Sequence, residues 1–500
     1  MHSHVSRFGV WLATAFILPV ISSAAHAQGV GNRVSLDEIV VTASVTGSLM
    51  APSDAEARRL LERVPGAIGF VEAESFADDF TQSLGDALLW TPGVFADTSA
   101  QRESRISIRG SGLNSGFERR GLTVLRDGVP ITRASGSTEF QEVDPLTIAR
   151  LEVFKGANGL RWGAASLGGA INIVSPTGLS MPSPLSIRVE GGSFNTIRGS
   201  IQTGGEVGIG DYWFGVTGLK SDGFREHSAI ESVYGFGNVG LRLSDRVETR
   251  FYLTILQDNF ELAGGLRLDD ALANPRAAGR PVTIPSPVPG RPPIVLDPGP
   301  VADDWDRNLG VIRLANRTVV NLGAARLEAG LWYSHRTLDH AITRFAGIID
   351  QKEDEIGAFA EIGNGGVRDR EPVEWVLGVQ ANSASNNART WVNDFGERGP
   401  LRNQSIQDSA NLVAYGQVDV GLGDQLRLIG GGQFTAARRE VTAILNSVPG
   451  RRSYRQFNPR IGLVFTPAED VQIFANVNRS FEPPSIADLT AGGAFPFAPL

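Results

Sequence analysis

Five hundred residues would ordinarily make two or three globular domains, but this composition is unusual for that. Glycine supplies 59 residues, cysteine none, and lysine occurs only at 155, 220 and 352, so almost every base is an arginine. The missing cysteine excludes disulfides, thiolate zinc sites and cysteine nucleophiles. The net charge of −8 excludes nucleic-acid binding through bulk positive charge. A mean hydropathy of −0.06 argues against a helical membrane protein but leaves a membrane β-barrel open, since barrel strands turn only every second residue to lipid.

In chain order, Arg7 precedes an apolar run over residues 8–21, and Ala25-His26-Ala27 comes after it. Charged start, apolar stretch and A-x-A site predict a signal peptide, 1–27, cleaved after Ala27. Residues 28–65 read as a flexible N-terminus. Within it, Asp37-Glu38-Ile39-Val40-Val41-Thr42-Ala43 favours extended structure between Gly-, Ser- and Asn-rich flanks. It is either an edge able to join a partner's sheet or the N-terminal strand of the domain beginning near Gly66.

Residues 66–177 predict an α+β domain. Leu84, Ala87 and Leu88 share one helical face, and Pro92-Gly93 stops the helix. Short strands are expected at 105–109, 122–125, 148–154 and 170–174, separated by Gly110-Ser111-Gly112, Asp127-Gly128 and Gly168-Gly169.

From Leu185 to residue 500 the period becomes two. Val471, Ile473, Ala475 and Val477 alternate with Gln472, Phe474, Asn476 and Asn478, and about twelve such segments fit the stretch. Some are joined by short turns, such as Ser244-Asp245, and others by long polar stretches expected at 259–305 and 384–410. Short and long connections in turn fit a transmembrane antiparallel barrel better than a soluble sandwich. Enclosing a domain of this size takes about 22 strands, so the chain reads as the first part of a longer protein.

The motifs then point to a family. Asp37 to Ala43 is similar to a TonB box. Ser107-Ile108-Arg109-Gly110, Leu125-Arg126-Asp127-Gly128-Val129-Pro130, and Gly168-Gly169-Ala170-Ile171-Asn172-Ile173-Val174 resemble the I-R-G, V-x-D-G-V/I-P and G-G-x-I-N-I-V signatures of a plug. Residues 148–156 with Trp162-Gly163 resemble the run between them, with Lys155, Ala157 and Trp162 where Arg, Pro and Tyr are common. Arg479-Ser480-Phe481-Glu482-Pro483-Pro484-Ser485 looks like a mid-barrel R-x-F-x-x-P-S run. The chain resembles TonB-dependent outer-membrane receptors, in particular the ferric-dicitrate receptor-like branch.

That resemblance implies a mainly β fold with an α+β plug inside a large barrel, in the outer membrane of a Gram-negative bacterium. It implies TonB with its inner-membrane motor proteins as periplasmic partner, a ferric chelate as ligand and outer-membrane lipid as surroundings. A non-iron ligand taken up by the same mechanism, or a passive porin or adhesin, is the alternative. No enzyme constellation, cofactor or metal site is expected. Arg102, Arg119 and Arg133, in the polar stretches 100–103, 114–120 and 132–140, are candidates to meet an anionic chelate, or else solvated turn arginines. Arg105, Arg109, Glu152 and Lys155 read as structural or gating charges that pair with one another or with the wall. His227, His335 and His340 lack metal-ligand spacing and read as solvated loop or lumen residues.

Overall fold

A computed structural model describes residues 51–490, apart from 63, 101, 113–118, 157–160, 162–166, 182, 285–290, 366–370 and 469–470. The expected leader, its cleavage site and the segment from Asp37 to Ala43 lie outside the described residues. The described residues fall within one compact unit, Thr46–Leu500.

Helix α1 (Asp54–Leu61) opens the plug. The Ser53 side chain accepts from the Glu56 amide, and acids in the first turn with arginines in the last complement the helix dipole. Strands β1 (Ile68–Glu72), β4 (Leu122–Arg126), β5 (Val129–Pro130), β6 (Arg150–Lys155) and β7 (Gly169–Val174) form one sheet in the order β1-β6-β7-β4-β5. The pair β4–β7 is parallel and the others are antiparallel. Helix α2 (Leu84–Ala87) starts on a reciprocal Ser83–Asp86 capping box. A separate hairpin pairs β2 (Val94–Ala100) with β3 (Glu103–Ile108). Leu84, Leu88, Ile106, Ile108, Leu122, Val124, Leu151, Val153, Ile171 and Ile173 form the core between these elements.

Two glycine sites enforce the plug's geometry. Asp127 and Gly128 both have positive φ in the two-residue β4–β5 turn, the backbone that an Asp-Gly pair favours in tight hairpins. At Gly169, where φ is +133°, a Cβ would stand 1.9 Å from the Phe154 carbonyl oxygen, so no side chain fits.

The wall begins at Leu185. Its strands are β8 (Leu185–Gly192), β9 (Thr196–Val207), β10 (Gly210–Ser221), β11 (Ile230–Ser244), β12 (Val247–Glu261), β15 (Asp306–Asn321), β16 (Arg326–Ala341), β17 (Ile348–Gly363), β18 (Val373–Asp394), β19 (Glu397–Leu422), β20 (Leu426–Leu445), β21 (Gly450–Ala468) and β22 (Val471–Asn478). These 13 form a single sheet in which each strand pairs antiparallel with its neighbours in this sequence. Among the described residues β8 and β22 each pair on one side only, so the wall is an open sheet.

Alternation sets the two faces. Ile187, Val216, Phe251, Leu331, Ile356 and Ile461 are exposed on one, while Asn238, Arg250, Asp258, Arg336, Thr435 and Asn458 are buried on the other. Apolar outside and polar inside is the arrangement of a membrane barrel, not of a soluble sandwich. Among the described residues no helix is long and apolar enough to cross a membrane.

Many wall glycines sit opposite an aromatic ring. Gly237 pairs with Phe214, Gly330 with Phe359, Gly357 with Trp332 and Gly378 with Tyr415. A Cβ on any of the four would come within 2.0 to 2.3 Å of the facing ring.

The expected connection at 384–410 is instead structured. Strands β18 and β19 pair through it to a tight turn at Phe395-Gly396, with register shifts between Thr390 and Asn393. Polar residues end the sequence-level pattern but not the backbone ladder, because strands that outrun the lipid keep hydrogen-bonding with polar side chains on both faces. The other long connection, 262–305, carries α3 (Leu268–Ala273) and a small hairpin of β13 (Val282–Ile284) and β14 (Ile294–Asp297).

Candidate functional site

The plug meets the wall across a seam of charges. The polar stretch from Ile131 to Glu142 is almost wholly buried, although its composition reads as a solvent-facing turn. Its carboxylates are answered by arginines on the inward positions of β15 and β16. Glu139 accepts from Arg307 at 2.8 Å and from Arg336 at 2.8 Å, and Arg133 lies 3.6 Å away. Arg133 also stands 3.5 Å from Glu353 of β17. Glu142 accepts from Arg313 at 3.2 Å. Between these pairs the Ala134 amide donates to Glu355 at 2.8 Å, while Asn411 donates to the Ala134 carbonyl at 2.8 Å.

Magnitudes decide the protonation of the two plug acids. Burial raises a carboxyl pKa, and for Glu142, with one guanidinium close by, burial wins and the pKa rises. For Glu139 burial is outweighed by Arg307, Arg336 and Arg133 together, which hold its carboxyl well below the usual carboxylate range. Glu139 is therefore a fixed anion at the centre of three cations.

The candidate arginines take definite places. Arg102 is buried, donates to the Val143 carbonyl at 3.1 Å and stacks over the Tyr234 ring at 4.1 Å. Arg119 donates to the Ser104 carbonyl at 3.4 Å. Arg133 belongs to the Glu139–Glu353 seam.

The four charges expected to be structural or gating divide. Glu152 accepts from Arg150 and from Asn172, both at 2.9 Å, and Arg150 reaches on to Asp54 of α1 at 2.9 Å. Lys155 lies beside Arg109, and burial together with that like charge lowers its pKa from the ordinary lysine value. Arg105 stands opposite Asp97 in the β2–β3 register. The structure thus places Arg109 and Lys155 together, and Glu152 with Arg150.

Sequence reading missed the wall side of the seam. The available signal was charge on one parity of period-two strands: Arg307, Arg313 and Arg317 on β15, Glu328 and Arg336 on β16, Glu353, Glu355 and Glu361 on β17. It also missed that the Arg479 to Ser485 run meets the plug. Glu482 accepts from Arg120 Nε at 3.1 Å and from the Gly121 amide at 3.1 Å.

Near the rim of short turns, a cavity of about 330 Å³ separates plug from wall. Asp127, Glu152, Arg317, Glu328 and Glu361 line it, and α1 supplies Ala57, Leu60 and Leu61 as one side. Arg317 pairs with Glu328 at 2.6 Å and also donates to the Asp127 carbonyl at 3.2 Å. Among the described residues no group of three His, Cys, Asp or Glu residues is arranged to hold a metal ion.

A strand wall with an apolar exterior, and a folded domain fixed to its polar face by ion pairs, defines a plugged membrane barrel. The chain belongs to the TonB-dependent receptor family: residues 61–170 match the TonB-dependent receptor plug domain and residues 273–500 the TonB-dependent receptor-like β-barrel. Among curated relatives, the vitamin B12 transporter BtuB of Vibrio vulnificus is 28% identical over 164 residues, 33% of this chain and 24% of that protein. The hemin receptor of Yersinia pestis is 26% identical over 233 residues, 45% of this chain and 31% of that one. The chain thus spans less than a third of either relative's length. Among solved structures, the ferric citrate transporter FecA in its unliganded form has a TM-score of 0.73 at 16% identity, over 89% of this chain and 67% of that one. The ferric-catecholate import receptor Fiu of E. coli K12 has a TM-score of 0.64 at 14% identity, over 84% and 70%. Both share the fold.

Proposed function

We propose that this protein is an outer-membrane receptor that imports a ferric chelate with energy supplied by TonB. The observation that carries the reading is the plug itself, held to the polar face of the wall by buried ion pairs. A passive porin gains nothing from a domain that fills its lumen, whereas a transporter that must be opened on demand needs one. Family membership supports TonB as the partner, and the fold shared with FecA and Fiu favours a ferric chelate over vitamin B12 as ligand.

On this reading the segment from Asp37 to Ala43 faces the periplasm and adds as a strand to TonB's sheet. Arg102, Arg119 and Arg133 serve the ligand after giving up their present acceptors. Arg105, Arg109, Glu152 and Lys155 rearrange as the plug opens.

The test uses Val40→Pro in the full-length protein, because proline removes a backbone donor from the pairing strand. Cells carrying the variant should bind radiolabelled ferric citrate or a ferric catecholate with near-normal affinity and fail to import either. Normal import would remove the 37–43 segment from the mechanism. Binding of cyanocobalamin in place of both iron chelates would keep the mechanism and change the ligand.

A further inference from the structure

His227 lies in the turn between β10 and β11 and is half-buried, its side chain 9% exposed. Its backbone is held at φ +58°, and that of Asp304, which it faces, at φ +47°. Both lie in the left-handed region, which His and Asp adopt more readily than most side chains do and which fixes the two turns against each other.

The imidazole sits where the two ends of the long connection 262–305 converge. Its Nε2 is 2.9 Å from the Trp305 carbonyl oxygen and 3.8 Å from Asp304 Oδ1, while Nδ1 is 3.7 Å from Glu261 Oε1. Each ring nitrogen therefore faces an acceptor. Glu261 belongs to β12, Asp304 and Trp305 to the end of the connection, and Asp306 of β15 also lies within electrostatic reach. Arg225, two residues before, is engaged by the carbonyls of Ala263, Gly264 and Ala277. A neutral imidazole has one N–H and satisfies one side; the imidazolium donates from both nitrogens and brings positive charge to the carboxylates.

This joint organises the outer rim. The connection's near arm carries Arg276, which stacks on Phe194 and Phe224 of two other turns at 5.4 and 5.6 Å. Its far arm is tied to the β16–β17 turn and the end of β18 by Asp303, which pairs with Arg344 at 3.3 Å and accepts from Asn393 at 2.8 Å through its backbone carbonyl.

We propose that His227 is a proton-operated clasp that fastens both ends of the 262–305 connection, tightening the long-loop rim in mildly acidic medium and loosening it above neutrality. The sign comes from the contacts: all are made better by the charged ring, so clasping is strongest when the imidazole carries both protons and weakens when it gives one up.

Hydrogen exchange on the membrane-embedded protein tests this. After correction for the intrinsic effect of pH, amides of residues 262–281 should exchange about threefold more slowly at pH 5.5 than at pH 8, the effect of a partly exposed ion pair. His227→Gln, which cannot charge, should show the fast rate at both values. The double variant Glu261→Gln/Asp304→Asn should flatten the dependence with the imidazole in place. Exchange in β10 to β12 reports whether each variant keeps its fold, and if His227→Gln fails there the double variant decides. An unchanged pH ratio in a folded variant, or no ratio in the wild type, overturns the proposal.

Discussion

Glu139 shows how much can hang on one carboxylate. It is 7% exposed and serves Arg307, Arg336 and Arg133, so removing it leaves three guanidiniums without their common anion. Breaking a buried pair from one side costs about 3–5 kcal/mol, so Glu139→Ala should unseat the plug loop, seen as new protease cleavage between residues 131 and 142 while the wall stays folded. The pH dependence has a definite sign. The folded pKa is depressed, so the contribution is fully present above the ordinary glutamate value of about 4.3 and drains away as pH falls below it. Protease protection of the loop should therefore decline in acid in the wild type, and Glu139→Gln should lose most of that dependence. Residue roles of this kind were half legible. Arg133 stands out in sequence as a charge in a polar stretch, but nothing local tells a ligand contact from a bond to Glu353, which lies 220 residues further along.

At the scale of elements, period was the dependable signal. The switch to two-residue alternation at Leu185 coincides with the first residue of β8, and the expected plug strands at 122–125 and 170–174 match β4 and β7 within a residue. The signal failed at 384–410, where polarity reads as a loop although β18 and β19 continue paired. It also undersold glycine. Turns account for Gly128 and close packing for Gly169, but glycines 237, 330, 357 and 378 each make room for the aromatic directly across the ladder, which no single strand reveals. Gly357→Leu should force Trp332 out of its buried position, breaking its 3.2 Å bond to Glu355. We expect a loss of about 2–3 kcal/mol, the cost of overpacking, measured as a lower unfolding temperature of the wall. Gly169→Ala should be worse, because the obstacle is the Phe154 carbonyl and the backbone itself must move; loss of the β6–β7 pairing would appear as fast amide exchange at 169–174.

For the molecule as a whole, two features were readable from the chain: a wide wall and a domain meant to fill it. Their fit was not, because complementarity between Ile131–Glu142 and strands β15 to β17 is written in residues far apart. On the proposed reading, the fit keeps a large opening shut. A double variant, Glu139→Gln with Glu353→Gln, removes both anions beside Arg133 while changing little volume. It should raise single-channel conductance in planar bilayers well above the wild-type level, and cells making it should admit large antibiotics that the outer membrane normally excludes. Conductance equal to wild type would mean that the remaining contacts, such as Asn411 with Ala134, suffice to seal the passage.

The seam also sets an order of events in the making of the protein. Glu139 meets Arg307 across 168 residues of chain and Arg336 across 197, so neither bond exists when the plug sequence is first synthesised. Contacts this remote form late and slowly. Until they do, the β15 and β16 arginines must keep their hydration, because an unpaired charge is costly to bury. Docking of the plug is then a drying step, in which water leaves as each guanidinium exchanges its shell for a carboxylate. The seal is made last.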